Sequence, residues 1–323
     1  MDDNNTLIAN YLQTELDWDK EEPKSLYKPI AYAMGQNGKR IRPNLLLLIT
    51  QVLGGDRAGA LDAAVAFEML HNFTLIHDDI MDNAELRRGE ETVAKQWGTN
   101  VAILAGDTLF AKATEIMLKY RHKQLVSLMT LFLKTTVKIC EGQQMDLDFE
   151  TQTNVTVERY LKMIEYKTGV LFGACAKAGS VLGSAGPRVQ KYLYDFGVHL
   201  GVAFQIQDDL LDVYGDPEKF GKPIGGDIKA NKKTYPYIYA CDLADKNQKK
   251  ILRQTFASPL IEPDERFTII KEIYDELDIK TKILKICDKY FEAAIYMLEK
   301  SNIGLTAHTI ICDFVDTIRL RKF

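Results

Sequence analysis

The sequence is poor in the residues that punctuate or cross-link a chain. Of 323 residues only 21 are Gly and 9 are Pro, below the roughly 12% that the two types average together. That is too few for an all-β protein, which needs a turn every ten residues or so. The five cysteines (Cys140, Cys175, Cys241, Cys287 and Cys312) lie far apart, odd in number and without a C-x-x-C pair. This excludes a disulfide framework and a zinc cage, and leaves them as small buried hydrophobes in a reducing compartment. No apolar run reaches about 18 residues, and the acidic start MDDNNTLIAN lacks the basic and apolar parts of a signal peptide. A cytoplasmic protein without stable membrane insertion is expected. Nor does one charge dominate: 41 Lys and Arg against 45 Asp and Glu leave no general basic surface to grip a nucleic acid. Any anion binding must be local.

What is present is helical periodicity. With 46% hydrophobic residues the chain can bury a sizeable core. Segments 58–82, 99–120, 122–149, 156–182, 188–214, 233–246 and 266–300 space their apolar residues by three and four, and none sustains a period of two. Turn signals separate them, and no Pro/Ser-rich linker or fixed-period repeat divides the sequence. The expectation is an all-α fold, a single large helical bundle formed as one domain over residues 1–323.

Segment 58–82 closes on Asp78-Asp79-Ile80-Met81-Asp82. Carboxylates at a helix C-terminus face the negative end of the macrodipole, so something positive should compensate them. On a 100° wheel His71, Thr74, Asp78 and Asp82 share one stripe, which sets the two outer carboxylates one turn apart. A second cluster, Asp208-Asp209-Leu210-Leu211-Asp212, repeats the spacing after another apolar segment. One such cluster alone would pass for a solvated helix end; two matched ones argue against it. If the clusters face each other, their repulsion can be relieved by raised pKa values or by divalent cations. Oxygen ligands select a hard ion such as Mg²⁺, which also takes substrate phosphate oxygens.

Basic residues gather in loops beside these clusters. Lys39-Arg40-Ile41-Arg42-Pro43, Arg87-Arg88-Gly89, and Lys222, Lys229, Lys232 and Lys233 supply the forks and point charges that hold diphosphate oxygens. The stretch from Gly215 to Pro223 is not a Walker A loop, because five residues separate its glycines and Pro223 stands where Ser or Thr is required. A nucleotide triphosphatase is disfavoured. Lys167-Thr168-Gly169 places a further lysine inside an apolar helical segment, where it either snorkels to solvent or serves a nearby site.

Taken in order, Gly38-Lys39-Arg40-Ile41-Arg42-Pro43, His71, the first aspartate cluster with Arg87-Arg88-Gly89, Lys167-Thr168, and Gln205 with the second cluster resemble the trans-isoprenyl diphosphate (polyprenyl) synthases. The resemblance runs over about residues 35–235. It implies a barrel-like helical bundle with a central cavity, usually a homodimer, that condenses isopentenyl diphosphate with an allylic diphosphate in a Mg²⁺-dependent reaction. It assigns Asp78, Asp82, Asp208 and Asp212 to Mg²⁺, with the middle aspartates in support. Lys39, Arg42, His71 and Arg88 resemble the isopentenyl diphosphate site. Arg87, Lys167, Thr168, Gln205, Lys222 and Lys232 resemble the allylic diphosphate site, and Arg321 in the basic tail would close over the isopentenyl end. Asp78, Asp82, Arg87, Lys167 and Asp208 are the residues expected to carry catalysis.

Product length would be set by what blocks the pocket below Asp78. At 1.5 Å per residue Phe73 lies about 7.5 Å down the helix and Leu70 about 12 Å down. The wheel turns Thr74 toward the Asp78 face. The resemblance nominates the fifth residue before the first aspartate, Phe73, and Phe73-Thr74 is similar to geranylgeranyl enzymes, whose product is C20. A farnesyl (C15) synthase is the nearest alternative, and Phe73 as ordinary core packing is another reading of the same residue. A class I terpene cyclase has no need of Lys39, Arg42 and His71, and a non-catalytic synthase subunit should have lost one aspartate cluster.

Overall fold

Helices make up nearly all the regular structure of the computed structural model, which describes residues 2–14, 16, 18–36, 38–215 and 224–320. They are α1 (Asp2–Thr14), α2 (Lys24–Gly35), α3 (Ile41–Val52), α4 (Leu61–Met81), α5 (Val93–Trp97), α6 (Thr99–Met117), α7 (His122–Thr151), α8 (Val157–Ile164), α9 (Val170–Leu182), α10 (Pro187–Tyr214), α11 (Gly226–Lys229), α12 (Tyr235–Leu243), α13 (Lys246–Ala257), α14 (Pro263–Glu276), α15 (Ile279–Ser301) and α16 (Leu305–Arg319). A π-helical turn, Glu165–Gly169, joins α8 to α9, and Leu86–Arg87 (β1) pairs antiparallel with Glu90–Glu91 (β2). Among the described residues no helix is long and apolar enough to cross a membrane.

Two predicted segments break where local polar groups win. Segment 266–300 divides into α14 and α15 at Leu277-Asp278, where Asp278 takes a left-handed φ of 51°. Asp tolerates that conformation better than most residues. Segment 233–246 ends as α12 at Leu243, because Asp245 opens α13 with a capping box closed by Gln248. The periodic segments also left α1, α2, α3, α5, α11, α13 and α16 unmarked.

The chain forms two compact units, neither of them one continuous stretch. The first comprises Met1–Val137, Leu171–Gly197 and Met297–Ile311. Its centre is α4, buried all round from Ala63 to Leu70, with Leu45, Leu46 and Leu47 of α3 and Ala102, Ala105 and Leu109 of α6 also fully buried. Small residues on α6 let it run close along α4. Phe73, Phe110, Phe132 and Phe67 form a chain of ring contacts, with centroids 5.5 to 5.9 Å apart. The second unit comprises Lys138–Val170, Val198–Tyr296 and Cys312–Phe323. Its core includes Ile206, Leu210, Tyr235, Ile270, Tyr274, Ile283 and Phe291.

Candidate active site

In the first unit the aspartate cluster closes α4, with Asp82 as the C-cap whose N–H donates to Asp78 O. The compensating cation comes from β1. Arg87 Nε donates to both oxygens of Asp79 (2.8 and 2.9 Å), and Nη2 lies 2.6 Å from Oδ1. Burial opposes the Arg87 charge, but its bonds to Asp79 and the nearness of Asp78 and Asp82 raise its pKa overall. His77, next in sequence to the cluster, turns instead to Ile103 O on α6 at 3.2 Å. This leaves an oxygen-only donor set at the helix end, which suits a hard cation.

Farther up α4, Arg42 Nη1 meets His71 Nε2 at 3.0 Å, and its guanidinium lies 4.8 Å from the centroid of the Phe172 ring. Burial, then Arg42, Arg88 and Arg87, hold the His71 imidazole well below its ordinary 6.5. His71 is therefore neutral near pH 7: Nε2 accepts from Arg42 and the proton sits on Nδ1. Buried Glu68, one turn before His71, has its pKa raised by burial against the pull of Arg42, Arg40 and Arg88. Lys39 is exposed beside Arg40, which enters α3 with a left-handed φ of 45°. Leu70 is fully buried, and Phe73 packs against His77 (4.8 Å) and Phe110 (5.6 Å). The Thr74 hydroxyl donates to His71 O rather than outward.

In the second unit the middle aspartate is again the anchored one. Asp209 accepts from Tyr160 OH (2.7 Å), Gln205 Nε2 (2.9 Å) and Tyr235 N (3.2 Å), and burial pushes its carboxyl up to about 7. Asp79 is 5% exposed and Asp209 3%, whereas Asp78, Asp82, Asp208 and Asp212 are half-buried. The i, i+1, i+4 spacing thus does the same thing twice. One carboxylate turns into protein donors, and two stay on the other stripe.

Thr168 Oγ1 donates to Gln205 Oε1 (2.9 Å), and Lys167 Nζ pairs with Asp146 (2.7 Å). Both residues ride on the π-helical turn, a distortion frequent at functional sites. Gly142 on α7 makes room for that turn: a Cβ there would lie 2.4 Å from Lys167 N. These groups line a cavity of about 130 Å³ together with Asp227 and Lys232. Asp212 accepts from the Asp227 N–H at 3.1 Å. Lys233 is used structurally, its Nζ donating to the carbonyls of Phe149, Glu150 and Gln152 at the end of α7.

Each unit therefore gathers one set. Arg42 meets His71 and Arg87 meets the first aspartates in one; Lys167, Thr168, Gln205 and Lys232 meet around Asp209 in the other. Lys222 and Arg321 lie outside the described residues. Among the described residues no group of three His, Cys, Asp or Glu side chains is arranged to hold a metal ion. Sequence reasoning missed Glu68, Asp146, Tyr160 and Asp227. The nearest signals were Glu68 one turn before His71, the polar run Glu141-Gly142-Gln143-Gln144 ahead of Asp146, and the glycines before Asp227.

The polyprenyl synthetase family model matches residues 23–276. The geranylgeranyl diphosphate synthase of Methanosarcina mazei is 45% identical over 220 residues, 68% of each chain. That of Sulfolobus acidocaldarius is 34% identical over 329 residues, 98% of this chain and 96% of its own. A crystal structure of geranylgeranyl pyrophosphate synthase, 37% identical, superposes with a TM-score of 0.94 over 100% of this chain and 99% of that one. The chain belongs to the polyprenyl synthetase family.

Proposed function

We propose that this protein is a short-chain prenyltransferase that condenses isopentenyl diphosphate with allylic diphosphates and releases geranylgeranyl diphosphate. The observation that carries the reading is α4 itself. One helix presents the Arg42-bonded His71 and, two turns on, the half-buried Asp78 and Asp82 with Arg87 folded back beside them. Asp78, Asp82, Asp208 and Asp212 would hold Mg²⁺, for which their oxygen donors fit. Bound there, Mg²⁺ would supply charge neutralisation for a leaving diphosphate.

The chain's own residues do the rest. Arg87, Lys167, Lys232, Thr168 and Gln205 hold the allylic diphosphate and stabilise the negative charge that grows as its C–O bond breaks. Lys39, Arg42, His71 and Arg88 fix the isopentenyl diphosphate so that its alkene faces the allylic cation. After the new C–C bond forms, a proton leaves to the released diphosphate, so no protein nucleophile is required. Apolar walls exclude the water that would quench the cation to an alcohol. Phe73, seated against Phe110, supports a floor for a C20 chain.

We extend the reading to a homodimer working in the cytoplasm. Exposed Ile103 and Leu104 on α6, with Val126, Leu133 and Val137 along one face of α7, support self-association. The test is incubation with Mg²⁺, labelled isopentenyl diphosphate and each primer from C5 to C15, followed by chromatography of dephosphorylated products. A C20 alcohol from every primer is expected. A cyclic hydrocarbon made without isopentenyl incorporation overturns the reading, as does full Mg²⁺-dependent activity in Asp78→Ala.

A further inference from the structure

The hairpin that carries Arg87 turns at its tip in only two residues. Leu86 pairs with Glu91 and Arg87 with Glu90, leaving Arg88 and Gly89 as the loop. Both have positive φ, 55° and 83°, as a type I′ turn requires. Asn, Asp or Gly is usual at the first of these positions, and an ordinary side chain such as arginine's is conformationally costly there. A strained arginine at that place points to a use for its side chain.

Its guanidinium lies over Gly38. A Cβ built on Gly38 would lie 2.6 Å from Arg88 Nη1, 3.0 Å from Cζ and 3.1 Å from Nη2, and these three are the nearest atoms it would meet. Gly38 does not have the left-handed φ that would itself demand glycine. The backbone there accepts alanine; the space does not, because the planar head of Arg88 occupies it. Arg88 is exposed, and among the described residues it makes no hydrogen bond or close ion pair; its head lies against Gly38. Glu68 attracts it at longer range, while Arg87 and Arg40 repel it.

We infer that Gly38 is a positioning residue for isopentenyl diphosphate binding: its bare Cα is the seat on which the Arg88 guanidinium lies. The inference rests on the proposed role of Arg88 at that diphosphate. The two-residue turn delivers the arginine, and the missing side chain at 38 sets where its fork ends. A methyl group at 38 must push the fork away by up to about 0.8 Å to restore ordinary contact at 3.4 Å. The yielding atoms are the end of a flexible side chain, so the fold is spared while the fork is misplaced.

The experiment is a double-mutant cycle of Gly38→Ala and Arg88→Ala read by steady-state kinetics with both substrates. Gly38→Ala should raise KM for isopentenyl diphosphate about tenfold. The KM for the allylic primer and kcat should stay within about twofold, and the melting temperature within about 2 °C. In the Arg88→Ala background the same substitution should change nothing further. An unchanged isopentenyl KM in Gly38→Ala overturns the seat, as does an equal rise with and without Arg88. Loss of folding in Gly38→Ala overturns it too, because the methyl group would then meet something less yielding than a guanidinium. If Arg88→Ala itself leaves the isopentenyl KM unchanged, it is the assignment of Arg88 that fails, and the two failures are told apart.

Discussion

Gly142→Ala pits two physical effects of opposite sign against each other. Gly142 lies inside α7, where alanine is the better helix former by about 1 kcal/mol, so propensity alone predicts a more stable protein. Its surroundings predict the reverse. The added Cβ would stand 2.4 Å from Lys167 N, 2.9 Å from Lys167 Cα and 2.9 Å from Tyr166 C. All three are backbone atoms of a hydrogen-bonded turn, so they cannot rotate aside as a side chain would. Reaching 3.4 Å requires the turn and α7 to part by up to about 1 Å. Overpacking of this kind costs about 1–3 kcal/mol, and a backbone clash belongs at the upper end. A cost of about 3 against a gain of about 1 leaves a loss of about 2 kcal/mol. With an unfolding entropy of about 2.1 cal/mol/K per residue over 323 residues, that is about 3 °C in melting temperature. Calorimetry reads the shift. Kinetics should show a second effect, a raised KM for the allylic primer, because Lys167 and Thr168 move with the turn. Gly35→Ala, at a helical glycine with nothing within 4 Å, is the control and should not destabilise. A Gly142→Ala protein as stable as the parent, with unchanged allylic kinetics, would refute the claim that this glycine makes room for the turn.

Three further outcomes follow from the same geometry. Asp79→Asn should cost about 3 kcal/mol in urea unfolding, since it leaves the Arg87 guanidinium without its carboxylate in a site where Asp79 is 5% exposed; a loss below about 1 kcal/mol would mean that solvent already screens the pair. His71 titrates well below 6.5 when folded, so below pH 6.5 the unfolded chain binds a proton that the folded chain does not. Its contribution to stability is flat above about pH 7.5 and falls as the pH drops through 6.5 toward acid; His71→Asn should remove that part of the slope between pH 7.5 and 5.5 in denaturation midpoints. Phe73→Ala should lengthen the product beyond C20, read by chromatography after dephosphorylation, and an unchanged product would return Phe73 to plain core packing against Phe110.

What could be read in advance was whatever depends on neighbours along the chain. The i, i+1, i+4 spacing of each aspartate cluster is a statement about a helical wheel. The wheel separates Asp78 and Asp82 from Asp79 without knowledge of any partner. The need for a cation at the end of α4 also follows from a local quantity, the helix dipole, and Arg87 meets it from only five residues beyond Asp82. The features that escaped depend on residues brought together from a distance. Nothing near Lys167 announces a π-helical turn; the room for it is left by Gly142, on another helix, and the lysine is taken by the Asp146 carboxylate there. Lys233, grouped with the phosphate-binding lysines by its place in the chain, is spent on three carbonyls at the end of α7.

The distinction bears on how charge is arranged for catalysis. An average of 41 cations against 45 carboxylates says nothing about where repulsion is stored. Arg42, Arg40, Arg87 and Arg88 all lie near His71 or Glu68, a concentration of positive charge that is unfavourable without an anion. Buried Glu68 offsets part of it, and the neutrality of His71 avoids adding to it. On the proposed assignment of these residues, a bound diphosphate would relieve the remainder, and the same crowding that costs stability in the free protein would supply affinity in the complex. Removing Arg88, which among the described residues has no close carboxylate partner, should therefore stabilise the ligand-free fold slightly while weakening diphosphate binding. That opposition of signs, measured as melting temperature with and without inorganic diphosphate, separates a functional cluster of cations from a merely structural one.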